Sequence, residues 1–146
     1  MGSGAPALQS SGALSCIVID VDRFKAINDS YGHDAGDRIL RHIARVLRDT
    51  VRSADAVCRI GGEEILVVCP DTLLADVCRA AERLRAAVSA RALEIDGSVV
   101  QATISLGVAA MDASTGCAAD MIKNADQAAY QAKGGGRNAT HIARAA

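Results

Sequence analysis

The feature that most constrains this chain is a hairpin signal set between two long helical patterns. Ala56–Ile60 and Ile65–Cys69 are apolar, strand-like runs separated by Gly61-Gly62-Glu63-Glu64. A glycine pair between such runs suits the tight turn of an antiparallel hairpin. Upstream, Ile39, Leu40, Ile43, Val46, Leu47 and Val51 recur at helical spacing over residues 34–51. Downstream, Leu74, Val77, Cys78, Ala81, Leu84 and Val88 do the same over residues 73–90. Two helices with one apolar face each need a common surface to cover, and the hairpin is part of the sheet that provides it.

The flanking segments extend that plan. Leu14 to Val21 reads LSCIVIDV, a nearly continuous apolar run of the kind a fully covered strand shows, and it ends among the carboxylates Asp20 and Asp22. Arg23–Asn28 can form a short helix, broken near Ser30-Tyr31-Gly32. From Val100 to Val108 apolar and small polar residues alternate, which predicts a strand with one buried face. A third helix is predicted over residues 118–133, with Met121, Ile122, Ala125, Ala129 and Ala132 inward and Gly134-Gly135-Gly136 as its stop. A last short strand falls at Thr140–Ala143. The order predicts an α+β fold, a ferredoxin-like split βαβ core whose mostly antiparallel sheet carries helices against one face. Residues 1–13, rich in Gly, Ser and Ala, read as a linker or tail, leaving one domain over 14–146.

Composition narrows the function. With one Phe, two Tyr and no Trp, the core must be aliphatic, and a sheet that stacks RNA bases on aromatics is excluded. Sixteen basic against 17 acidic residues leave no cationic excess to bind a nucleic acid polymer. No run approaches the ~20 apolar residues of a membrane span, so no direct membrane contact is expected. The five cysteines form no CxxC pair; they read as buried free thiols in a reducing cytoplasm, three of them within apolar strand-like runs.

The polar residues that remain allow chemistry. In a split βαβ sheet the first strand is central and its neighbour is one arm of the hairpin, so Asp20 and Glu63 can converge at one sheet edge. Like charges that close in a half-dry site repel unless a cation lies between them, and oxygen-only ligands suit Mg²⁺ or Mn²⁺. Solvated turn acids are the alternative. Lys25, Lys133 and Arg137 are cations that can balance phosphates, although a lysine in the last turn of a helix also answers the dipole. Asn28 and Asp37 offer the acceptor and donor pattern that matches a guanine edge; a helix-end amide and a first-turn acid are the plainer roles.

The sequence blocks DVDRFKAIND, YGHDAGD, RSADAVCRIGGEEI, TISLGVA and NADQAAYQAKGGGRN, in this order, resemble the GGDEF family, the catalytic domain of diguanylate cyclases. The likeness runs from about Ile17 to Asn138. The signature is GGEEI, with Ile65 where the family prefers Phe. The resemblance implies the fold of nucleotide cyclases and polymerase palms. It implies that Asp20, Glu63 and the carbonyl of Val21 hold two divalent cations per half-site, Mg²⁺ or Mn²⁺, and that Glu64 acts on the nucleophilic hydroxyl or the transition state. Asn28 and Asp37 match the guanine-reading pair. Phe24 and Lys25 match the loop around the phosphates, with Lys133 and Arg137 as the cations facing it. Arg52 and Asp55, in an RxxD stretch, match with Arg83 an inhibitory site for the product cyclic di-GMP. The DxLTGLxNRR segment that opens the family's domain is not found before Leu14.

The expected activity is therefore condensation of two GTP to cyclic di-GMP and two pyrophosphates by a cytoplasmic homodimer of half-sites. The alternative is a weak or inactive GGDEF domain that senses GTP or cyclic di-GMP.

Overall fold

The computed structural model describes residues 12–112 and 116–143; residues 1–11, most of the expected tail, lie outside them. The elements are β1 (Leu14–Val21), α1 (Phe24–Tyr31), α2 (His33–Thr50), β2 (Ala56–Arg59), β3 (Glu64–Pro70), α3 (Leu74–Ala90), β4 (Leu93–Ile95), β5 (Ser98–Val100), β6 (Ile104–Ala110), α4 (Ala118–Gly134) and β7 (Thr140–Ile142). The main sheet has the order β2-β3-β1-β6-β7. Its first four strands are antiparallel, and β7 joins β6 in parallel. This is the expected α+β architecture, with β1 at the centre.

Helices cover both faces of the sheet rather than one. On one side Ile17, Ile19 and Val21 of β1 pack with Ile39, Ile43 and Leu47 of α2 and Val77, Ala81 and Leu84 of α3. On the other, Cys16 and Val18 pack with Met121, Ala125 and Ala129 of α4. β6 is consequently buried from Ile104 to Ala109 instead of alternating. The residues predicted to face water, Ser105 and Gly107, lie under α4, and their small size lets that helix approach. A Cβ on Gly107 would run into the backbone of Ala125 and Ala129. The Gly107→Ala variant should therefore lose about 3 kcal/mol of stability, because rigid backbone rather than a side-chain tip must move. That corresponds to a Tm lower by about 10 °C in thermal unfolding; an unchanged Tm would mean that α4 is not seated there.

The strand expected over residues 100–108 is broken. Leu93–Ile95 and Ser98–Val100 form a separate two-stranded hairpin, turned by Asp96 and Gly97 at positive φ, and β6 starts only at Ile104. Edge position explains a second departure. Cys58 is exposed because β2 ends the sheet, while Cys16 and Cys69 are buried and burial pushes both thiols up to about 12. Ile65, where the family prefers Phe, is 2% exposed and belongs to the core. Leu74, expected inward, and half-buried Ile122 lie at helix margins.

Candidate active site

The register of β1 against β3 places Asp20 opposite Glu64, and the Val21 amide donates to the Glu63 carbonyl at 3.2 Å. Two neighbouring strands thus deliver three carboxylates to one end of the sheet. Arg59 steadies the turn between β2 and β3 by donating to the carbonyls of Gly61 (3.2 Å) and Gly62 (2.8 Å). A cavity of about 350 Å³ opens beside it, lined by Asp20, Phe24, Lys25, Asn28, Gly62, Glu63 and Glu64.

Electrostatics at this end are unbalanced. The Asp20 carboxyl is raised above its ordinary value by burial first, with Lys133 opposing and Glu63 adding to the rise. Lys133 reaches across from α4, its Nζ 3.5 Å from Asp20 Oδ2. The other oxygen, Oδ1, is buried without a hydrogen-bond partner. Glu64 is also raised, by burial and then by Asp126 of α4. Asp126 did not stand out in the sequence; the signal was its helical spacing from Lys133, seven residues on, which puts both on the face of α4 turned to this edge.

The base-reading candidates are only partly assembled. Asn28 lines the cavity, and its Oδ1 is buried without a donor. Gly36 makes that placement feasible, since a Cβ there would collide with the Asn28 side chain and press on Phe24. Asp37 is exposed one turn into α2, beside Gly36, and the first-turn acid there is Asp34 instead; Arg137 is exposed in the turn after α4, and neither Asp37 nor Arg137 lines the cavity. Among the described residues no three His, Cys, Asp or Glu side chains form a ready-made metal cage. The residues nevertheless fit Mg²⁺ or Mn²⁺. Such an ion needs one or two carboxylates and takes its remaining ligands from water and phosphate, and the orphaned Asp20 Oδ1 is an available oxygen.

A second cavity of about 220 Å³ brings Arg52, Asp55 and Arg83 together, with Thr72, Asp76 and Arg79 on its wall. Arg52 NH2 donates to Asp55 Oδ1 (3.0 Å), to the Pro70 carbonyl (3.1 Å) and to Thr72 Oγ1 (2.6 Å). These bonds fix the guanidinium at the end of β3, opposite the chain end that carries Glu64. A larger cavity, about 420 Å³ between α2 and β2, has an apolar floor of Leu40, Ala44, Val57 and Ile65 under arginines. Its one acid, Asp49, lies 3.8 Å from Arg91, so size alone does not mark the chemistry.

Comparison with known proteins identifies the family and its fold. The family model described as "Diguanylate cyclase, GGDEF domain" matches residues 5–139. The response regulator PleD of Caulobacter vibrioides is 45% identical over 128 residues, which are 86% of this chain and 28% of that protein. The active GGEEF domain of a diguanylate cyclase from Vibrio cholerae superposes with a TM-score of 0.85 at 32% identity, over 97% of this chain and 88% of that one. The GGDEF domain of DgcB from Caulobacter crescentus, solved in complex with c-di-GMP, superposes with a TM-score of 0.84 at 30% identity, over 95% and 84% of the two chains. The chain thus spans little more than a quarter of the length of PleD. With its fold, its GGEEI hairpin and its matched length in agreement, this chain belongs to the GGDEF domain family of diguanylate cyclases.

Proposed function

We propose that this domain is a diguanylate cyclase half-site that condenses two GTP into cyclic di-GMP and two pyrophosphates. The observation that carries the reading is the cross-strand meeting of Asp20 with Glu64, beside Glu63, at a cavity where Asp20 Oδ1 and Asn28 Oδ1 are both buried without partners. Buried polar atoms left unpaired are costly, and they mark where ligand groups complete a network.

Asp20, Glu63 and the Val21 carbonyl hold the divalent cations, Mg²⁺ or Mn²⁺. These ions supply charge neutralisation on the phosphates and a lowered hydroxyl pKa. Asn28 accepts from the guanine N–H groups, with Asp37 completing the base edge when the nucleotide is bound. Phe24 and Lys25 cover the phosphates from α1, and Lys133 and Arg137 balance their charge from α4 and the turn after it. Glu64, raised by burial, is suited to take the proton from the ribose 3′-hydroxyl as its oxygen bonds to the α-phosphorus of the second GTP and pyrophosphate departs. Because the two nucleotides face each other, one domain supplies half the site and a homodimer completes it. Positioning and electrostatics carry the rate.

The Arg52, Asp55 and Arg83 cavity takes the product. Guanidinium groups fork onto phosphate and stack on guanine, and this cavity is separate from the carboxylates. Arg52→Ala should abolish cyclic di-GMP binding in calorimetry and leave GTP affinity within about twofold, as for sites with no shared partner. Retained product binding would remove the inhibitory assignment. No described helix is long and apolar enough to cross a membrane.

The half-site reading is tested by dilution. Specific activity should rise with protein concentration, and a parallel coiled coil fused to the N-terminus should raise it at low concentration by increasing effective concentration. A flat specific activity across the series would contradict the two-half-site arrangement. Zero activity with GTP binding retained would favour the sensor alternative.

A further inference from the structure

Asp22 is 3% exposed, and the chemistry above makes no use of it. Its Oδ1 accepts from Ser105 Oγ at 2.6 Å, and its Oδ2 from Thr103 Oγ1 at 2.7 Å and from the backbone N–H of Asn138 at 2.9 Å. Two of these donors belong to β6 or its approach, which fixes the carboxylate in the sheet. The third belongs to the turn after α4, so Asp22 ties that turn to the sheet, one residue before Ala139, whose carbonyl accepts from the Leu106 amide of β6 at 2.9 Å.

The turn needs holding. Arg137 and Asn138 are consecutive non-glycine residues at positive φ, 67° and 45°. Residues held in this region persist where the surroundings over-determine them. The Arg137 amide donates to the Ala132 carbonyl at 3.0 Å. The Asn138 side chain is held separately, by Arg85 NH1 of α3 donating to Asn138 Oδ1 at 3.2 Å. Arg85 is itself preset. Its Nε and NH2 fork onto Glu82 at 3.0 and 3.1 Å, which leaves NH1 for Asn138. Glu82 Oε2 also accepts from Thr140 Oγ1 of β7 at 2.8 Å. Asn138 is therefore clamped at its backbone by Asp22 and at its side chain by Arg85.

We propose that Asp22 and Arg85 are positioning residues for Arg137: by clamping Asn138 they fix the backbone from which Arg137 reaches the substrate's phosphates. The proposal rests on the phosphate role given to Arg137 above. Lys133 is oriented separately, by its ion pair with Asp20, so the clamp acts on the Arg137 contribution alone.

The test is a double-mutant cycle on the whole chain, read as GTP affinity with Mg²⁺, with guanosine affinity as the control for base reading. Arg137→Ala should weaken GTP by roughly tenfold, the scale of one hydrogen bond to a charged group. Arg85→Ala should weaken GTP in the same direction and leave guanosine unchanged. The double variant should bind no worse than Arg137→Ala, since a clamp has nothing left to position. Asn138→Asp, which keeps the acceptor for Arg85, should stay closer to wild type than Asn138→Ala. Independently of any nucleotide, amide hydrogen exchange at Asn138 should accelerate by roughly tenfold in Arg85→Ala, as the turn opens more often. Additive losses in the cycle, equal losses for guanosine and GTP, or unchanged Asn138 exchange would each overturn the clamp. Wild-type GTP affinity in Arg137→Ala, with Asn138 exchange still accelerated in Arg85→Ala, would instead overturn the phosphate role of Arg137, and the positioning claim with it.

Discussion

Glu64→Gln is expected to lower cyclic di-GMP formation by ~10²–10⁴-fold, the range for loss of one positioned proton-transfer group, while GTP binding stays close to wild type. Glutamine keeps the size and an oxygen acceptor of the side chain, so the cavity should survive the change. What disappears is the ability to accept a proton. The backbone of Glu64 is fixed by its place opposite Asp20, and its carboxyl is raised by burial and then by Asp126. A carboxylate displaced upward is a stronger base at neutral pH than an ordinary one. Single-turnover kinetics beside calorimetry separate rate from grip. Parallel losses in both would make Glu64 another ligand of the cation–phosphate assembly.

Replacing Asp20 or Glu63 by Ala should abolish Mg²⁺-dependent GTP binding altogether, because each removes a carboxylate from a set that has few to spare. Two acids of this site, Asp20 and Glu64, burden the ligand-free domain. Asp20 and Glu64 both hold protons more tightly in the fold than their ordinary values of 3.8 and 4.5, with burial as the first cause. For acids raised in this way, the folded state binds more protons than the unfolded chain, so stability is lost as pH rises from the ordinary values through the raised ones. Ligand-free unfolding should therefore become easier with pH in that window, and Asp20→Asn should flatten the slope and raise the neutral-pH Tm. Cation binding needs the ionised form and should strengthen over the same window. Denaturant unfolding at several pH values checks the sign. Glu82, lowered first by its hydrogen bond from Arg85, acts in the opposite sense, so the comparison is between variants: a slope left unchanged by Asp20→Asn would mean that Lys133 offsets burial at Asp20. Retained Mg²⁺-dependent binding in both alanine variants would place the cations elsewhere.

Local signals were enough for the frame. The glycine pair, the two flanking helical stripes and the apolar run ending at Asp20 each carry a period or a turn residue that acts over a few neighbours, and the central place of β1 beside one arm of the hairpin followed from the plan they imply. The second layer of helix was not legible. The small residues of β6, Ser105 and Gly107, look polar or neutral in sequence, yet their smallness admits α4 against the sheet; whether such a position faces water or helix is decided by a partner far along the chain. The site shows the same division. Asp20 and Glu64 lie on the paired strands β1 and β3, with Glu63 in the hairpin turn that leads into β3, and Lys133 meets Asp20 through a helix that ends at a glycine stop. Asp126 and Asp22 were not distinguished, one because its role depends on which way α4 faces, the other because its donors lie 81 to 116 residues away. For Asp37 and Arg137 the family resemblance chose the functional role over the plainer one, and neither lines the cavity.

Turnover by the chain itself is the most direct test of the proposed cyclase half-site. Incubated with GTP and Mg²⁺ at high protein concentration, it should yield cyclic di-GMP and pyrophosphate in a ratio of one to two, with no product when EDTA replaces Mg²⁺ or when Glu64 is Gln. Both products can be followed in one reaction, by chromatography and by a coupled pyrophosphatase. Cyclic di-GMP formed at the wild-type rate by Glu64→Gln, or none formed by the intact chain even when fused to a dimeric coiled coil, would contradict it.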